Sequence, residues 1–175
     1  TPARPPTDPA TACRAAAASY LRTALQGSSE NAAQTREYLR ARGLDSSHLP
    51  LLPLGVIDNQ TSLAGALRAA GCGPKAIHET GLFERYMARH CLIFIYGDGR
   101  EVTGFKGRVP DRAVKDVKNA KGFGGELEAR SLFGLDLADE AIATSGRVIL
   151  VEGEFDCLSV QSALSLAKGV TAELV

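Results

Sequence analysis

The sequence predicts an α+β fold: a helical and small mixed-sheet amino-terminal subdomain that leads into the first β-α unit of an α/β fold. Three observations carry that prediction. Apolar residues recur at helical spacing through much of the first eighty positions. Two runs of strand character, 91–96 and 101–106, are separated by Gly97-Asp98-Gly99-Arg100, a strong hairpin signal. Finally, Val148, Ile149, Leu150 and Val151 form an unbroken apolar run, too short for a helix and suited to a strand covered on both faces, as in a parallel sheet. A chain of 175 residues is long enough to bury a core, in one domain or two small ones.

Residues 1–9 hold four prolines and read as a linker or tail. The alanine-rich stretch 10–26 predicts a helix ending at Gly27. Ser29-Glu30-Asn31 can cap a second helix running to Arg42, with Gly43 past its end. On that helix Arg36 reads as an exposed charge and Arg42 as mainly structural, with room for a template contact. Pro50 and Pro53 bracket a loop, residues 62–70 predict a third helix stopped by Gly71, and Pro74 opens a short turn of helix to Glu79. The hairpin follows and directs Lys106 and Arg108 off the end of its second strand. Residues 107–130 have few apolar anchors and contain Gly122, Gly124 and Gly125; with Lys115, Lys118, Asn119 and Lys121 such a stretch can wrap phosphates through cations and exposed backbone N–H groups. Residues 136–144 predict a helix leading through Ser145-Gly146 into the apolar run.

That run delivers Glu152 to the carboxyl end of a strand, where ligands bind in open α/β sheets. Gly153 permits a sharp turn, and Asp156 falls at the start of a helical pattern of Leu158, Val160, Ala163 and Leu164 that extends to about residue 167. Asp156 either caps that helix or joins Glu152 in holding a divalent cation, since Mg²⁺ takes hard oxygen ligands, commonly one or two carboxylates plus waters and phosphates. Glu152 can equally exchange a proton with a hydroxyl nucleophile.

Formal net charge is zero, so nucleic-acid binding cannot be argued from the total. The distribution is uneven. Arg100, Lys106, Arg108, Arg112, Lys115, Lys118 and Lys121 face only Glu101, Asp111 and Asp116, whereas from residue 122 onward nine acids face three bases. A basic segment followed by an acidic one suits a site where cations grip phosphates and carboxylates hold metal; two ordinary solvated faces would give the same pattern. Cys13, Cys72, Cys91 and Cys157 are spaced too widely for a compact zinc site, and His48, His78 and His90 are equally scattered. Free thiols fit an intracellular location. No apolar run reaches the roughly eighteen residues a membrane span needs, and Ser19, Tyr20 and Arg22 follow the alanines at 15–18 where a signal peptide would carry an apolar core. The chain opens on Thr1, which suggests an excised or processed chain.

Val151-Glu152-Gly153-Glu154-Phe155-Asp156 resembles the first acidic motif of the Toprim domain, shared by DnaG-type primases, primase-helicases of the Twinkle kind, type IA topoisomerases and OLD-type nucleases. Upstream, Arg36-Glu37-Tyr38-Leu39-Arg40-Ala41-Arg42-Gly43-Leu44 resembles the "YLxxRGL" helix that opens the RNA-polymerase domain of bacterial and phage primases, and Leu54-Gly55 the "LG" after it. Val102-Thr103-Gly104-Phe105-Lys106-Gly107-Arg108-Val109 is similar to the "GFxGR" strand, and Ser131-Leu132-Phe133-Gly134-Leu135 to the "LYGL" segment before Toprim. These motifs stand in family order across roughly residues 30–165.

The resemblance implies the catalytic core of a DnaG-type DNA primase of bacterial, phage or plasmid origin, joining ribonucleotides into short RNA primers on a single-stranded DNA template. It implies residues 1–27 as linker and connecting helix, 28–145 as the basic catalytic-core subdomain and 146–175 as the beginning of a Toprim α/β domain, truncated here. Glu152 and Asp156 would be catalytic and metal-binding, with Mg²⁺ or Mn²⁺ as cofactor, while Lys106, Arg108, Lys115, Lys118, Asn119 and Lys121 would hold nucleotide or template. Arg108 matches the arginine of "GFxGR". Asn119 matches the asparagine of a "KYxN" element, though its lysine falls on Asp116 with Lys115 one position off; a further family lysine falls near Glu128, and in a primase-helicase-like alignment Lys121 replaces one of these. The family's zinc ribbon is not found in this sequence, and after Asp156 the only acid is Glu173, so the family's second motif, Asp-x-Asp, is missing and the isolated chain is expected to polymerise nothing. Nucleoside triphosphates, and a replicative helicase bound through regions outside this chain, are the implied partners, in the cytoplasm at the replisome, with no membrane. The alternatives are a non-catalytic single-strand-binding module or split-primase subunit, and a Toprim nuclease.

Overall fold

The computed structural model describes residues 8–44, 49–84, 87, 89–97, 101–110, 120–122 and 132–167. Helix α1 (Pro9–Leu25) begins where Asp8 accepts a hydrogen bond from Thr11 N at 3.2 Å, with Pro9 pre-set for the first turn. Its buried stripe, Cys13, Ala17, Ala18, Leu21 and Leu25, repeats at helical spacing and lies against the first strand. Helix α2 (Glu30–Arg40) is capped by Ser29 on Ala32 N and buries Ala32, Thr35, Tyr38 and Leu39. It stops two residues earlier than the sequence suggests. Gly43, at φ +83°, turns the chain so that Gly43 N and Leu44 N bond Arg40 O and Leu39 O, which closes the helix end.

Arg36 is half-buried rather than an exposed charge. Its Nη1 donates to Leu25 O at 2.6 Å and Gly27 O at 2.8 Å, satisfying carbonyls at the end of α1.

A 3₁₀ turn (Leu49–Leu51) leads into β1 (Leu54–Val56), then α3 (Gln60–Ala69), capped by Asn59 on Thr61 N and Ser62 N, and the short α4 (Pro74–Glu79). Strands β2 (Leu92–Gly97) and β3 (Val102–Arg108) form the expected hairpin, whose turn residues lie outside the described set, and β4 (Ala120–Gly122) pairs with β3. The order is β1-β2-β3-β4, and among the described residues every pairing is antiparallel rather than mixed. All six residues of β2 are buried, which makes it the centre of the core. β1 can lie directly under α1 because Gly55 has no side chain: a Cβ there would stand 2.5 Å from Leu21 Cβ and 2.9 Å from Leu21 C. Gly55→Ala is therefore expected to destabilise the protein by about 1–3 kcal/mol through overpacking. A urea midpoint equal to wild type would contradict this.

Helix α5 (Leu135–Ser145) runs between two left-handed glycines, Gly134 and Gly146, and α6 (Glu154–Ala167) follows. The connection between them departs from expectation. Residues 147–151 are not a strand, and their apolar side chains face solvent: Leu150 is 72% exposed and Ile149 64%. An apolar run becomes a strand only beside a hydrogen-bonding neighbour, and none of the four described strands pairs with it.

Candidate functional site

The turn at residues 152–156 is held against the sheet by two adjacent side chains at the start of α6. Phe155 is buried, edge-on to Phe94 of β2 at 5.3 Å and to Tyr38 of α2 at 5.9 Å. Glu154 Oε1 accepts two bonds of 2.5 Å, one from Lys106 Nζ on β3 and one from Tyr96 Oη on β2. Burial opposes the charge of Glu154, but the bonds from Lys106 and Tyr96 outweigh it and hold the carboxyl below the usual carboxylate range. Burial, and then the Glu154 carboxylate, push the Tyr96 phenol well above its ordinary value.

Glu152 and Asp156 are both exposed. The turn separates the acids by burial: Glu154 is half-buried beside the buried Phe155, while Glu152 and Asp156 are exposed. Asp156 folds back over the turn, its Oδ2 lying 3.5 Å from where a Cβ on Gly153 would stand, and Cys157 N bonds Gly153 O at 3.0 Å. Among the described residues, no group of three or more His, Cys, Asp or Glu side chains is arranged to hold a metal. Two outward carboxylates nevertheless match the one or two that Mg²⁺ takes from protein.

Two guanidiniums share the Phe155 ring. Arg42, exposed beyond the end of α2, sits 4.3 Å from the ring centroid and 5.1 Å from that of Tyr38; Arg108, half-buried at the end of β3, sits 4.9 Å from Phe155. The β3 backbone reaches this position because Gly107 admits His90 and Met87: a Cβ there would meet His90 Cβ, His90 O and Met87 Cε, each at 2.9 Å. Phe133 closes the other flank, edge-on to Phe94 and Tyr96, and its carbonyl accepts from Cys157 Sγ. The motif segments around Tyr38, Gly107, Phe133 and Phe155 thus meet in one place.

Lys106 and Arg108 both contact the turn that carries Glu152 and Asp156, through Glu154 and Phe155. Lys106 and Arg108 stand within β3 rather than beyond its end, and the Lys106 ammonium is engaged by Glu154. Lys121 occupies the register position opposite Lys106 on β4. Lys115, Lys118 and Asn119 lie outside the described residues. Sequence reasoning passed over Tyr96 and the inward role of Glu154, for which no local signal exists because their partners are remote in sequence. The Arg42 and Phe155 pairing was open to inference from the two motifs that carry them.

No protein-family model matches the chain. A DNA primase from Deinococcus radiodurans is 29% identical over 173 residues, covering 88% of this chain and 29% of that protein. The RNA polymerase domain of Mycobacterium tuberculosis primase DnaG superposes with a TM-score of 0.70 at 26% identity, covering 88% of this chain and 53% of that one. The zinc-binding and RNA polymerase domains of Aquifex aeolicus primase give 0.72 at 25% identity, with 95% and 42% covered. The chain is homologous to DnaG-type DNA primases.

The homology takes in the primase polymerase fold described above and extends over most of the chain. The chain spans about half the length of the solved Mycobacterium polymerase domain and under a third of the Deinococcus primase. The Mycobacterium domain has also been solved in complex with double-stranded DNA, at the same TM-score of 0.70.

Proposed function

We propose that this chain is the first part of a primase catalytic core, in which 28–145 form the basic subdomain behind the linker and connecting helix at 1–27, and 146–175 begin a Toprim domain. Within a complete core it would take part in joining ribonucleotides into short RNA primers on single-stranded DNA, in a phage, plasmid or bacterial replication system, with a helicase engaged through other regions. The observation that carries this reading is the pair of guanidiniums, Arg42 and Arg108, over the ring of Phe155, whose turn also carries the exposed acids Glu152 and Asp156.

Phosphoryl transfer needs an activated 3′ hydroxyl, an aligned triphosphate and a neutralised developing charge. Arg42 and Arg108 present planar donors suited to phosphate oxygens, and the ring beneath them limits their freedom before binding. Glu152 and Asp156 supply hard oxygens that fit Mg²⁺ or Mn²⁺, which when bound would neutralise phosphate charge. Glu152 would also accept the proton of a hydroxyl nucleophile.

DNA binding tests the basic half of this proposal. Arg42→Gln and Arg108→Gln are each expected to weaken oligonucleotide binding similarly for unrelated sequences, and to lower the slope of log K against log salt by about one. Fluorescence anisotropy at several salt concentrations measures both. Slopes matching wild type for both variants would remove the guanidiniums from phosphate contact.

A further inference from the structure

The three acids of the turn do not share one task. We infer that Glu154 is a positioning residue, locked to Lys106 and Tyr96 so that the turn presents Glu152 and Asp156 together to a divalent cation, and that it is not itself a ligand. The inference rests on the metal-site reading above and assigns Glu154 and Lys106 a part in it.

The geometry separates positioning from ligation. Glu154 Oε1 already accepts from both Lys106 Nζ and Tyr96 Oη at 2.5 Å, and the Lys106 and Glu154 side chains are only 24% and 12% exposed. A cation would have to displace a charged and a neutral donor from a half-buried pocket to reach that oxygen, whereas Glu152 and Asp156 are both exposed to solvent. The partners sit on two neighbouring strands, β2 and β3, so the bond ties the start of α6 to the rigid centre of the sheet rather than to another loop. Phe155 anchors the next position by packing, but a ring contact fixes distance better than direction. A carboxylate bonded by two donors from different strands also fixes the rotation of the turn. That rotation decides whether the flanking carboxylates converge. Groups that orient metal ligands from behind commonly change metal affinity by about 10–100-fold when removed.

Lys106 has two mutually exclusive readings with opposite signs. If it orients the turn, Lys106→Met weakens cation binding. If Glu154 is a ligand that Lys106 merely occupies, Lys106→Met frees the carboxylate and tightens binding.

The test uses the 175-residue chain, labelled for amide resonances and titrated with Mn²⁺, whose paramagnetic broadening locates the ion without any activity. In wild type the broadening is expected to centre on residues 152 and 156. Lys106→Met and Glu154→Gln should each weaken Mn²⁺ binding by about tenfold or more, and Lys106→Arg, which keeps a cation on Glu154, should stay within about threefold of wild type. Tighter binding in Lys106→Met, or unchanged affinity in both Lys106→Met and Glu154→Gln, overturns the inference. Amide exchange in the metal-free protein provides the second measurement: Lys106→Met should speed exchange at 154–157 and leave α1 unchanged, and equal rates at 154–157 also overturn it. Absence of Mn²⁺ broadening in wild type, with exchange at 154–157 sped as expected, would sink the metal-site reading while leaving the clamp itself established.

Discussion

Glu152→Gln is expected to reduce primer synthesis by about 10²–10⁴-fold in a protein that carries a whole primase polymerase domain, with its unfolding midpoint unchanged. The substitution keeps the volume of the side chain and one oxygen but removes the charge. An amide neither accepts the proton of a 3′ hydroxyl at neutral pH nor binds a hard cation as a carboxylate does. The exposed position of Glu152 means that the fold does not depend on its charge, so the stability change should stay within about 0.5 kcal/mol. Asp156→Asn should act in the same direction. The 175-residue chain by itself is expected to give no measurable synthesis, because it spans 53% of the solved Mycobacterium polymerase domain. Primer-extension assays on labelled template measure these outcomes, and a Glu152→Gln protein working within about threefold of the wild-type rate would take Glu152 out of the chemistry.

Local features were legible in the sequence to the extent that their causes were local. Ser29, Gly43, Gly71 and Pro74 mark helix ends because caps and left-handed turns depend on a few neighbouring residues, and the Gly-Asp-Gly signal placed the β2–β3 hairpin for the same reason. The run 148–151 shows the limit of this reasoning. Its composition is that of a buried strand, but strand formation depends on a partner, and periodicity says nothing about whether one stands beside it. Arg36 shows a related limit, since its partners are carbonyls at the end of the preceding helix rather than solvent.

The candidate site divides along the same line. The motifs singled out Glu152, Asp156 and Arg108, and the segments that carry them touch where Arg108 lies over Phe155. Which of the three neighbouring acids turns inward was not legible, because that is decided by Tyr96 and Lys106, 58 and 48 positions away along the chain from Glu154. A lysine between two motif glycines reads as a free cation until the fold brings a carboxylate to it.

Phe155→Ala should be the most damaging single change to stability near the site, lowering the unfolding free energy by about 3–5 kcal/mol. The ring is only 8% exposed, and it meets Tyr38 and Phe94 edge-on, contacts that add to its burial. Among the described side chains of α6, Phe155 and Leu158 are the large buried apolar ones, so removing one takes away much of what holds the start of the helix. Chemical denaturation measures the loss, and amide exchange should place it first in α6, with β2 protected until global unfolding. A loss below about 1 kcal/mol would mean that α6 is held chiefly by Glu154. The same substitution has a second consequence that separates packing from charge. Arg42 and Arg108 both lie over this ring, and the alanine variant keeps both guanidiniums while removing the surface that orients them. Oligonucleotide binding should therefore weaken with its salt slope largely retained, because the number of phosphates neutralised is unchanged while the cost of ordering the cations rises, whereas loss of either arginine weakens binding and lowers the slope.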